Sequence, residues 1–409
     1  MSCTQRACAA FLAAAALAPR FIFVAEGQFL TEVVYVSSAG CDADDWGCTD
    51  DVEAQKVVRT LRVGESGSMH VAPELELLQE GLPAWMTASP DGQCLFVALV
   101  DQGKIQPYSL GSGEVWMPGS AVGSGGVYPV HASVSQKSRF LVVANYGGDD
   151  GASTAAFRIG AHCTLEALDV RTHHGHSVHP WRQTAAHAHS AYITGPDSDT
   201  RHPGEHLVYT CDLGLDAIVV YNLTAEGKLE EVHRIFTSPG SGPRHLVFNP
   251  TLPFVYVLCE LNQVVSSYRI EEDGGLTLLA EKSLVHDGST AGKKAAELVI
   301  HPSGSALYAT NRQNENTVTV FTVDAVTGIL EEIQQVGAPR FPRGAALNAE
   351  GTVLLVAGQS QSEIWSYKVE ADWRLTKTSF SVGLSEGMPP NPAAFAVFPS
   401  AKGTGPLLP

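Results

Sequence analysis

Ionisable side chains recur at regular places in this sequence, next to short apolar segments. One group lies about ten residues before the segments begin, and a second group lies about five residues after they begin. The first group is Trp85, His131, His187, His189, Arg244, Glu297 and Arg343, and the second is Tyr146, Asp212, Glu260, Arg312 and Gln359. If the fold brings these groups together, the arginines can hold an anion by charge-assisted hydrogen bonds, and the histidines and carboxylates can move protons.

The overall charge limits the kind of anion that such a site can serve. The chain of 409 residues has 26 Lys and Arg against 43 Asp and Glu, a formal net charge of −17. A chain of this charge repels phosphate backbones, which disfavours a nucleic-acid partner. A small anionic substrate needs a local basic pocket, and the arginines can supply one.

Composition excludes several other classes. A hydrophobic fraction of 44% with 17% charged residues indicates a folded protein. No apolar stretch reaches about 18 residues, so we expect no membrane-spanning helix and no membrane partner. Eight Cys in a chain of this length predict no disulfide framework.

The apolar segments form a repeat. A turn signal precedes each segment, as at residues 89–92 and 301–304, and a second strand ending in an aromatic residue follows it. Units of four strands with a period of about 45–50 residues are typical of β-propeller blades. The segments begin at Leu95, Leu141, Leu207, Phe254, Leu307 and Leu354, with spacings of 46, 66, 47, 53 and 47 residues.

The repeat therefore predicts an all-β fold, a seven-bladed β-propeller over residues 28–398 with tails at 1–27 and 399–409. Two insertions interrupt the period, one at 39–75 and a His-rich one between 141 and 207. The alternative is a pair of β-sandwiches, and the fixed period argues against it.

A propeller would gather the ionisable groups at one place. The first two strands of a blade form a hairpin, so the start of the first strand and the end of the second lie at the same end of the blade. That end faces one mouth of the central channel. We therefore expect both groups to converge at one mouth and to form a functional pocket there. The alternative is that they are ordinary solvated residues lining the channel.

The motifs around these positions resemble those of a known family, the lactonases with seven-bladed propellers. This family includes bacterial-type 6-phosphogluconolactonases and fungal carboxy-muconate lactonizing enzymes. The resemblance covers about residues 80–398. The motifs, in chain order, are YPVH (128–131), ANYGG (144–148), RQTAAHAHS (182–190), CDLGLDAIVVY (211–221), SGPRHLVFNP (241–250), CELN (259–262), AAELVIHPSG (295–304) and TNRQNENTVTVF (310–321).

The resemblance implies a pocket at one mouth, no metal or other cofactor, and the opening or closing of a lactone ring. The family's HxH motif falls on His187 and His189, and its GPRH arginine falls on Arg244. The acid of its NEL motif falls on Glu260, and its SNR arginine falls on Arg312.

These matches give a hypothesis for catalysis. His189 or Glu260 activates a water molecule, with His187 as the third catalytic residue, because His187 and His189 lie two apart and point to the same side of a strand. Arg244 and Arg312 hold the substrate's phosphate or carboxylate and stabilise developing negative charge. The predicted substrate-binding set is completed by His131, Glu297, Asp212 and Arg343.

The leading functional prediction is hydrolysis of a small anionic sugar lactone, 6-phosphogluconolactone, in the oxidative pentose phosphate pathway. The first alternative is a carboxy-muconate cyclase that closes a lactone in the same pocket. The second is a non-catalytic propeller scaffold, which the missing WD-type signatures disfavour. The sequence does not indicate an oligomeric state.

Because some positions depart from the family pattern, the sequence predicts the type of reaction more closely than the identity of the substrate. The Pro usual before the HxH motif is Ala186, and the Asn usual before the acid is Cys259. Gly344 and Ala345 replace an Asn-Phe-like pair. The pocket core is kept and its rim differs.

Three further segments carry open predictions. Residues 7–18 are mostly Ala and resemble a short targeting segment. We therefore leave two locations open: the cytoplasm, or a secretory or organellar compartment reached through this segment. Cys41 and Cys48 can pair in an oxidising compartment. THHGHSVH (172–179) and the acidic residues 42–51 are interpreted as solvated loops rather than metal sites, because their spacing matches neither a standard zinc site nor an EF-hand.

Overall fold

The computed structural model describes residues 31–38, 56–72, 76–112, 115–148, 151–194, 206–286, 288, 293–313, 315–383 and 392–398. The predicted tails at 1–27 and 399–409, the acidic loop and the Cys41–Cys48 pair lie outside the described residues. The insertion at 39–75 is described at residues 56–72 only.

The described residues form thirty strands in seven antiparallel sheets, which confirms the predicted seven-bladed β-propeller. Neighbouring inner strands contact one another around the whole ring. The first two blades in chain order contain β1 (Thr31–Ser38), β2 (Val57–Gly64), β3 (Met69–Val71) and β4 (Leu77–Leu78), then β5 (Pro83–Ala88), β6 (Cys94–Leu99), β7 (Lys104–Leu110), β8 (Trp116–Pro118) and β9 (Val122–Gly123).

The next two blades flank the His-rich insertion. They contain β10 (Pro129–Val134), β11 (Phe140–Gly148), β12 (Gly151–Ile159) and β13 (Leu165–His173), then β14 (Ala188–Ile193), β15 (His206–Asp212), β16 (Ala217–Leu223) and β17 (Leu229–Phe236).

The last three blades have four strands each. They contain β18 (Pro243–Phe248), β19 (Phe254–Cys259), β20 (Val264–Ile270) and β21 (Leu276–Ser283), then β22 (Lys293–Ile300), β23 (Ala306–Gln313), β24 (Thr317–Val323) and β25 (Leu330–Gly337), then β26 (Pro342–Leu347), β27 (Val353–Gly358), β28 (Glu363–Val369) and β29 (Leu375–Gly383).

The ring is closed by the end of the chain. The last strand, β30 (Pro392–Val397), pairs antiparallel with β1 in the register Val34 with Val397 and Val36 with Phe395. It supplies the inner strand of the first blade. Pairing the two ends of the chain leaves no open edge between the first and last blades.

The second strand of each blade explains the continuous apolar segments of the sequence. Every residue of β6, β15, β19 and β27 is buried, because these strands pack against neighbouring blades on both faces. A strand buried on both faces needs no polar alternation. The outer strand β17, by contrast, is mostly exposed, with one buried and two partly buried residues.

A disulfide joins Cys94, at the start of β6, to Cys163, in the turn before β13. The sequence did not indicate this pairing, because the two residues are 69 positions apart. The described part of the chain contains no helix with the length and apolar character needed to cross a bilayer.

The His-rich segment is only partly the solvated loop that we predicted. His174 and His176 are exposed, but His173 ends β13 and is buried. Its Nδ1 lies 2.8 Å from Oδ2 of Asp212, and its Nε2 lies 2.7 Å from the Tyr221 hydroxyl. His173 therefore belongs to the packing between two blades.

Candidate active site

Several inner strands carry an extra residue close to where they begin. In β14, Ala188 pairs with Asp212 and Ser190 pairs with Cys211, so His189 is the extra residue. Arg244 is extra in β18 in the same way, and Arg343 is extra in β26. A β-bulge turns a side chain away from the regular pleat. Three predicted site residues are thus aimed at one mouth of the channel, which we call the basic mouth.

A buried carboxylate with three arginines forms the core of the basic mouth. Oε1 of Glu260 accepts a hydrogen bond from Arg182 at 2.6 Å. Its Oε2 lies 3.1 Å from Nε of Arg244 and 3.1 Å from Nη2 of Arg312. The side chains of Glu260, Arg244 and Arg312 are at most 4% exposed, whereas that of Arg182 is 27% exposed.

Backbone carbonyls and an aromatic ring hold the two buried guanidinium groups in place. Arg244 donates to the carbonyl oxygen of Ala296, and Arg312 donates to that of Ala295 at 3.1 Å. The Arg312 guanidinium also lies 5.1 Å from the centre of the Phe341 ring. The guanidinium groups are therefore fixed before a ligand arrives, which lowers the entropic cost of binding.

The charges in this cluster set the protonation of Glu260. Burial would raise the pKa of Glu260, but Arg182, Arg312 and Arg244 together hold it well below its usual range. Burial and the charge of Arg312 lower the pKa of Arg244 to about 10, so Arg244 stays protonated at neutral pH. Glu260 is a permanent counterion here and a weak proton acceptor.

A layer of aromatic and imidazole rings lies beneath the arginines. The His245 ring is 5.3 Å from His189 and 5.5 Å from His131, centre to centre. The His131 ring is also 4.4 Å from Trp85 and 4.4 Å from Tyr192. The rings therefore pack together in tilted and edge-to-face pairs next to the arginine cluster.

His245 and Glu297 form a buried pair within this layer. Nδ1 of His245 lies 2.7 Å from Oε1 of Glu297, and its Nε2 lies 3.3 Å from Nη1 of Arg244. Burial raises the pKa of Glu297 to about 7, against the opposing effect of Arg244. Burial and Arg244 lower the pKa of His245 well below its usual range.

His189 is also neutral at pH 7. Burial, followed by the charges of Arg244 and His245, lowers its pKa well below the usual value. Its Nδ1 is buried and has no hydrogen-bond partner among the described residues. A neutral imidazole beside protonated arginines can accept a proton, and it also leaves the local excess of positive charge intact.

Comparison with known proteins now identifies the family. Residues 46–388 match the lactonase family of seven-bladed β-propellers. The chain belongs to this family.

Two relatives of this lactonase carry the same name. It is 26% identical over 321 residues to a 6-phosphogluconolactonase of Formosa agariphila, covering 75% of this chain and 86% of that protein. It is 27% identical over 311 residues to a 6-phosphogluconolactonase of Cronobacter sakazakii, covering 73% of this chain and 84% of that protein.

Solved structures show the same fold. A periplasmic gluconolactonase of Pseudomonas aeruginosa superposes with a TM-score of 0.77 at 25% identity, covering 90% of this chain and 99% of that one. A putative 6-phosphogluconolactonase from Bacteroides fragilis superposes with a TM-score of 0.74 at 23% identity, covering 90% of this chain and 98% of that one.

Most of the residues predicted for the lactonase site meet at the basic mouth. Arg244, Glu260 and Arg312 form the arginine cluster, and His189 lies beside it. His131 and Glu297 lie in the ring layer below. Arg343 lies close enough for its charge to lower the pKa of His189, and its Nη1 donates to Gln359 at 3.3 Å.

His187 and His189 both face Tyr146, as predicted for two residues on the same side of a strand. The cause is not the regular pleat of a strand. His187 precedes β14, and His189 occupies the bulge. Both rings contact Tyr146: His187 stacks on it at 4.3 Å with an interplanar angle of 12°, and His189 meets its edge at 5.7 Å. Burial lowers the pKa of the half-buried His187.

Asp212 is placed behind the site rather than in its opening. Its Oδ2 is paired with His173, and its Oδ1 accepts hydrogen bonds from the backbone N–H groups of His187 and Leu215. The side chain is fully buried. Asp212 therefore holds the backbone of His187 in place.

Two residues of this site were missed by the sequence analysis, Arg182 and His245. Both lie inside motifs that had been recognised: Arg182 begins RQTAAHAHS, and His245 follows Arg244 in SGPRHLVFNP. Arg182 stands in the His-rich insertion, which the period could not align with other blades. His245 is adjacent to a bulge, where the alternation that assigns side chains to faces fails.

Proposed function

We propose that this protein hydrolyses a sugar lactone, with 6-phosphogluconolactone as substrate and 6-phosphogluconate as product. The observation that carries the proposal is the buried Arg244–Glu260–Arg312 cluster beside the neutral His189. Relatives named 6-phosphogluconolactonase support this choice of substrate. The product would feed the oxidative pentose phosphate pathway.

An excess of positive charge at the basic mouth supports an anionic substrate. Four arginines, Arg182, Arg244, Arg312 and Arg343, act on the cluster that contains Glu260 and Glu297, and Glu297, with a pKa of about 7, is only partly ionised at neutral pH. Arg244 and Arg312 hold the phosphate and stabilise the charge that develops on the carbonyl oxygen. A pocket of this charge resolves the difficulty of binding an anion to a chain of net charge −17.

The pKa of both His189 and Glu260 lies well below its usual value, so the choice of His189 as the base rests on the ion pairs that engage Glu260 and not His189. The arginines keep Glu260 ionised and stabilise that ionised state, so it has little tendency to take a proton. His189 is neutral and next to the same guanidinium groups. Glu260 then serves to position the arginines.

The proposed step is an attack of water on the lactone carbonyl. His189 removes a proton as the water oxygen bonds to the carbonyl carbon. The bond from that carbon to the ring oxygen then breaks, and the proton held by His189 passes to the ring oxygen, which leaves as a hydroxyl group. His245 and Glu297 orient the neighbouring rings.

The test compares two variants on freshly generated 6-phosphogluconolactone, with the product followed by a coupled 6-phosphogluconate dehydrogenase. His189→Gln should lower kcat by roughly 100- to 10,000-fold with little change in KM. Glu260→Gln should mainly raise KM, because it disturbs the arginines that bind the phosphate. If Glu260→Gln abolishes kcat while His189→Gln keeps it, the base assignment is wrong.

Two further substrates separate the alternatives, each with its own readout: acid release followed with a pH indicator for D-glucono-1,5-lactone, and ultraviolet absorbance for 3-carboxymuconate. D-Glucono-1,5-lactone lacks the phosphate, so equal kcat/KM on both lactones would remove the phosphate from the proposal. Lactonization of 3-carboxymuconate without lactone hydrolysis would favour the cyclase function. Inactivity on all three substrates would contradict the proposed reaction.

The disulfide bears on the compartment, for which a cytoplasmic location and a targeting segment were both predicted. Reducing systems of the cytosol keep thiols reduced, so the Cys94–Cys163 bond supports the targeted alternative. Protein isolated under alkylating conditions from its native source should carry no label on Cys94. Quantitative labelling would favour the cytoplasm.

A further inference from the structure

The His-rich insertion carries one residue into the basic mouth. Residues 174–187, which we call the insertion loop, connect β13 to β14 and lie outside the strands of both blades. Within this loop Trp181 is exposed, whereas the next residue, Arg182, donates to Oε1 of Glu260 at 2.6 Å. A loop with few contacts samples several positions. The insertion loop therefore needs an anchor if Arg182 is to stay in the mouth.

The insertion loop is closed on itself by Gln183, whose side chain is fully buried. Oε1 of Gln183 accepts a hydrogen bond from the backbone N–H of His179 at 2.9 Å, and its own backbone N–H donates to the His179 carbonyl oxygen at 3.1 Å. Nδ1 of His179 in turn accepts hydrogen bonds from the backbone N–H groups of Trp181 at 3.3 Å and Arg182 at 3.2 Å. The backbone of Arg182 is therefore part of a compact hydrogen-bonded turn.

This turn is fixed to the propeller through Asp216, the residue directly before β16. Nε2 of Gln183 donates to Oδ1 of Asp216 at 2.7 Å and to the carbonyl oxygen of Leu213 at 2.8 Å. The hydroxyl of Ser177 donates to Oδ2 of Asp216 at 2.6 Å. Asp216 is buried, so water competes little for these hydrogen bonds.

The same carboxylate holds the backbone next to Glu260. Oδ2 of Asp216 accepts a hydrogen bond from the N–H of Gly240 at 2.6 Å, and its Oδ1 accepts one from the N–H of Gly242 at 2.7 Å. The carbonyl oxygen of Gly242 accepts a hydrogen bond from the backbone N–H of Glu260 at 2.7 Å. Asp216 therefore anchors the backbone on both sides of the contact between Arg182 and Glu260.

The residue type at position 216 fits this arrangement. With the hydroxyl of Ser241, which donates to Oδ1 at 3.2 Å, five donors converge on the Asp216 carboxylate. A carboxylate offers two oxygens that both accept hydrogen bonds, whereas asparagine would turn an NH₂ group towards some of these donors. Asp216 also has a φ of 49°, in the left-handed region, which aspartate adopts more readily than most non-glycine residues.

We propose that Gln183 and Asp216 are positioning residues of the basic mouth, which hold the insertion loop so that the Arg182 guanidinium is presented to the anionic group of the substrate. Neither residue touches the substrate. The identity of that substrate rests on the proposed lactonase function, whereas the placement of Arg182 does not. A guanidinium that is fixed in advance loses less entropy when it binds an anion.

The first test follows Arg182 without any substrate. The charge of Glu260 raises the pKa of Arg182, and phenylglyoxal reacts with the unprotonated guanidine, so the ion pair protects Arg182 from this reagent. Gln183→Met removes the hydrogen bond to Asp216 and keeps a side chain of similar length. In the folded protein, phenylglyoxal should modify Arg182 at least about threefold faster in Gln183→Met than in wild type, as measured by peptide mass mapping.

Gln334→Met is the matched control. Nε2 of Gln334, on the outer strand β25, donates to the carbonyl oxygen of Leu375 at 3.1 Å, and its Oε1 accepts a hydrogen bond from the Leu375 N–H at 2.7 Å. This substitution therefore also removes hydrogen bonds to the backbone of a neighbouring blade. It should lower the midpoint of urea unfolding and leave both the labelling rate of Arg182 and the KM unchanged.

The second test uses kinetics on 6-phosphogluconolactone to separate positioning from stability. Gln183→Met should raise KM about 2- to 10-fold, the range also expected for Arg182→Gln, with kcat changed by less than about twofold. In the Arg182→Gln background, Gln183→Met should raise KM by less than about 1.5-fold, because its effect passes through Arg182. A loss of folded protein alone would lower the apparent kcat and leave KM unchanged.

An unchanged labelling rate of Arg182 in Gln183→Met would overturn the proposal, and so would independent, additive effects of Gln183→Met and Arg182→Gln on KM. If the wild type does not hydrolyse 6-phosphogluconolactone, the lactonase function fails, and the labelling rates still decide the positioning role. If Gln183→Met does not fold, Ser177→Ala replaces it, since Ser177 is partly exposed and its hydroxyl bonds to Asp216. The same rise in the labelling rate of Arg182 is then required.

Discussion

The two halves of the central channel are built from the same inner strands and have opposite chemistry. At the basic mouth, bulges in three strands present His189, Arg244 and Arg343. At the opposite face the same strands run in regular register and line a cavity with mostly apolar walls, which include Met86, Val247 and Val299. The polar site thus combines bulged residues of the inner strands with Glu260 and Arg312 at the ends of the second strands, while the scaffold around it stays apolar.

Among the charged residues of the basic mouth, the largest expected effect comes from removing one buried arginine. Arg312→Ala should lower kcat/KM for 6-phosphogluconolactone by roughly 10- to 1,000-fold, because a fixed cation that stabilises the substrate's charge is lost. Glu260 keeps Arg182 and Arg244, so the fold should persist. The matched control is Arg269→Ala, whose guanidinium is exposed and pairs with Glu271.

Steady-state kinetics on both lactones measure this effect. The loss should be smaller on D-glucono-1,5-lactone, which has no phosphate. Wild-type kinetics in Arg312→Ala would show that the basic mouth does not bind the substrate, and the contrast between the two halves would lose its functional meaning.

The next effect compares the two buried carboxylates. Glu260→Gln leaves three guanidinium groups without their counterion and should lower the free energy of unfolding by about 3–5 kcal/mol. Glu297→Gln should cost about 1 kcal/mol at pH 6, because Glu297 has a pKa of about 7 and is mostly protonated there. Urea unfolding of both variants measures the difference.

The stability difference between wild type and Glu297→Gln should also depend on pH. Folding raises the pKa of Glu297 above its ordinary value of 4.5 to about 7, so the folded state holds the proton more tightly. Its contribution to stability is present below pH 4.5 and is lost as pH rises towards 7. The wild type should therefore lose stability relative to Glu297→Gln between pH 5 and 8, and a constant difference would contradict the raised pKa.

The smallest effect is expected at the rim. Arg182→Gln should raise KM about 2- to 10-fold, because Arg182 is partly exposed and its attraction for the substrate is screened by solvent. Added salt should shrink this effect more than that of Arg312→Ala. A loss as large as that of Arg312→Ala would place Arg182 at the centre of the site.

Much of this architecture could be predicted because it follows from local patterns in the sequence. The apolar runs at Leu95 or Phe254 mark strands buried on both faces, and their spacing gives the blades. The ordered motifs placed Arg244, Glu260 and Arg312 together. By contrast, Asp212 matches the same positional rule, yet its side chain turns towards His173, because a position in the repeat does not determine which way a side chain points.

The sequence alone determined the number of blades, the mouth at which the ionisable groups gather and the family of the protein, because these follow from periodicity and from residue types at fixed offsets. Tertiary structure decided the rest. The bulges at His189 and Arg244, the contact of Arg182 with Glu260 and the pairing of Cys94 with Cys163 join residues from different blades or break the strand period. The protonation of Glu260, His189 and Glu297 likewise depends on burial and on neighbours distant in the chain, and only the closed ring brings these neighbours together.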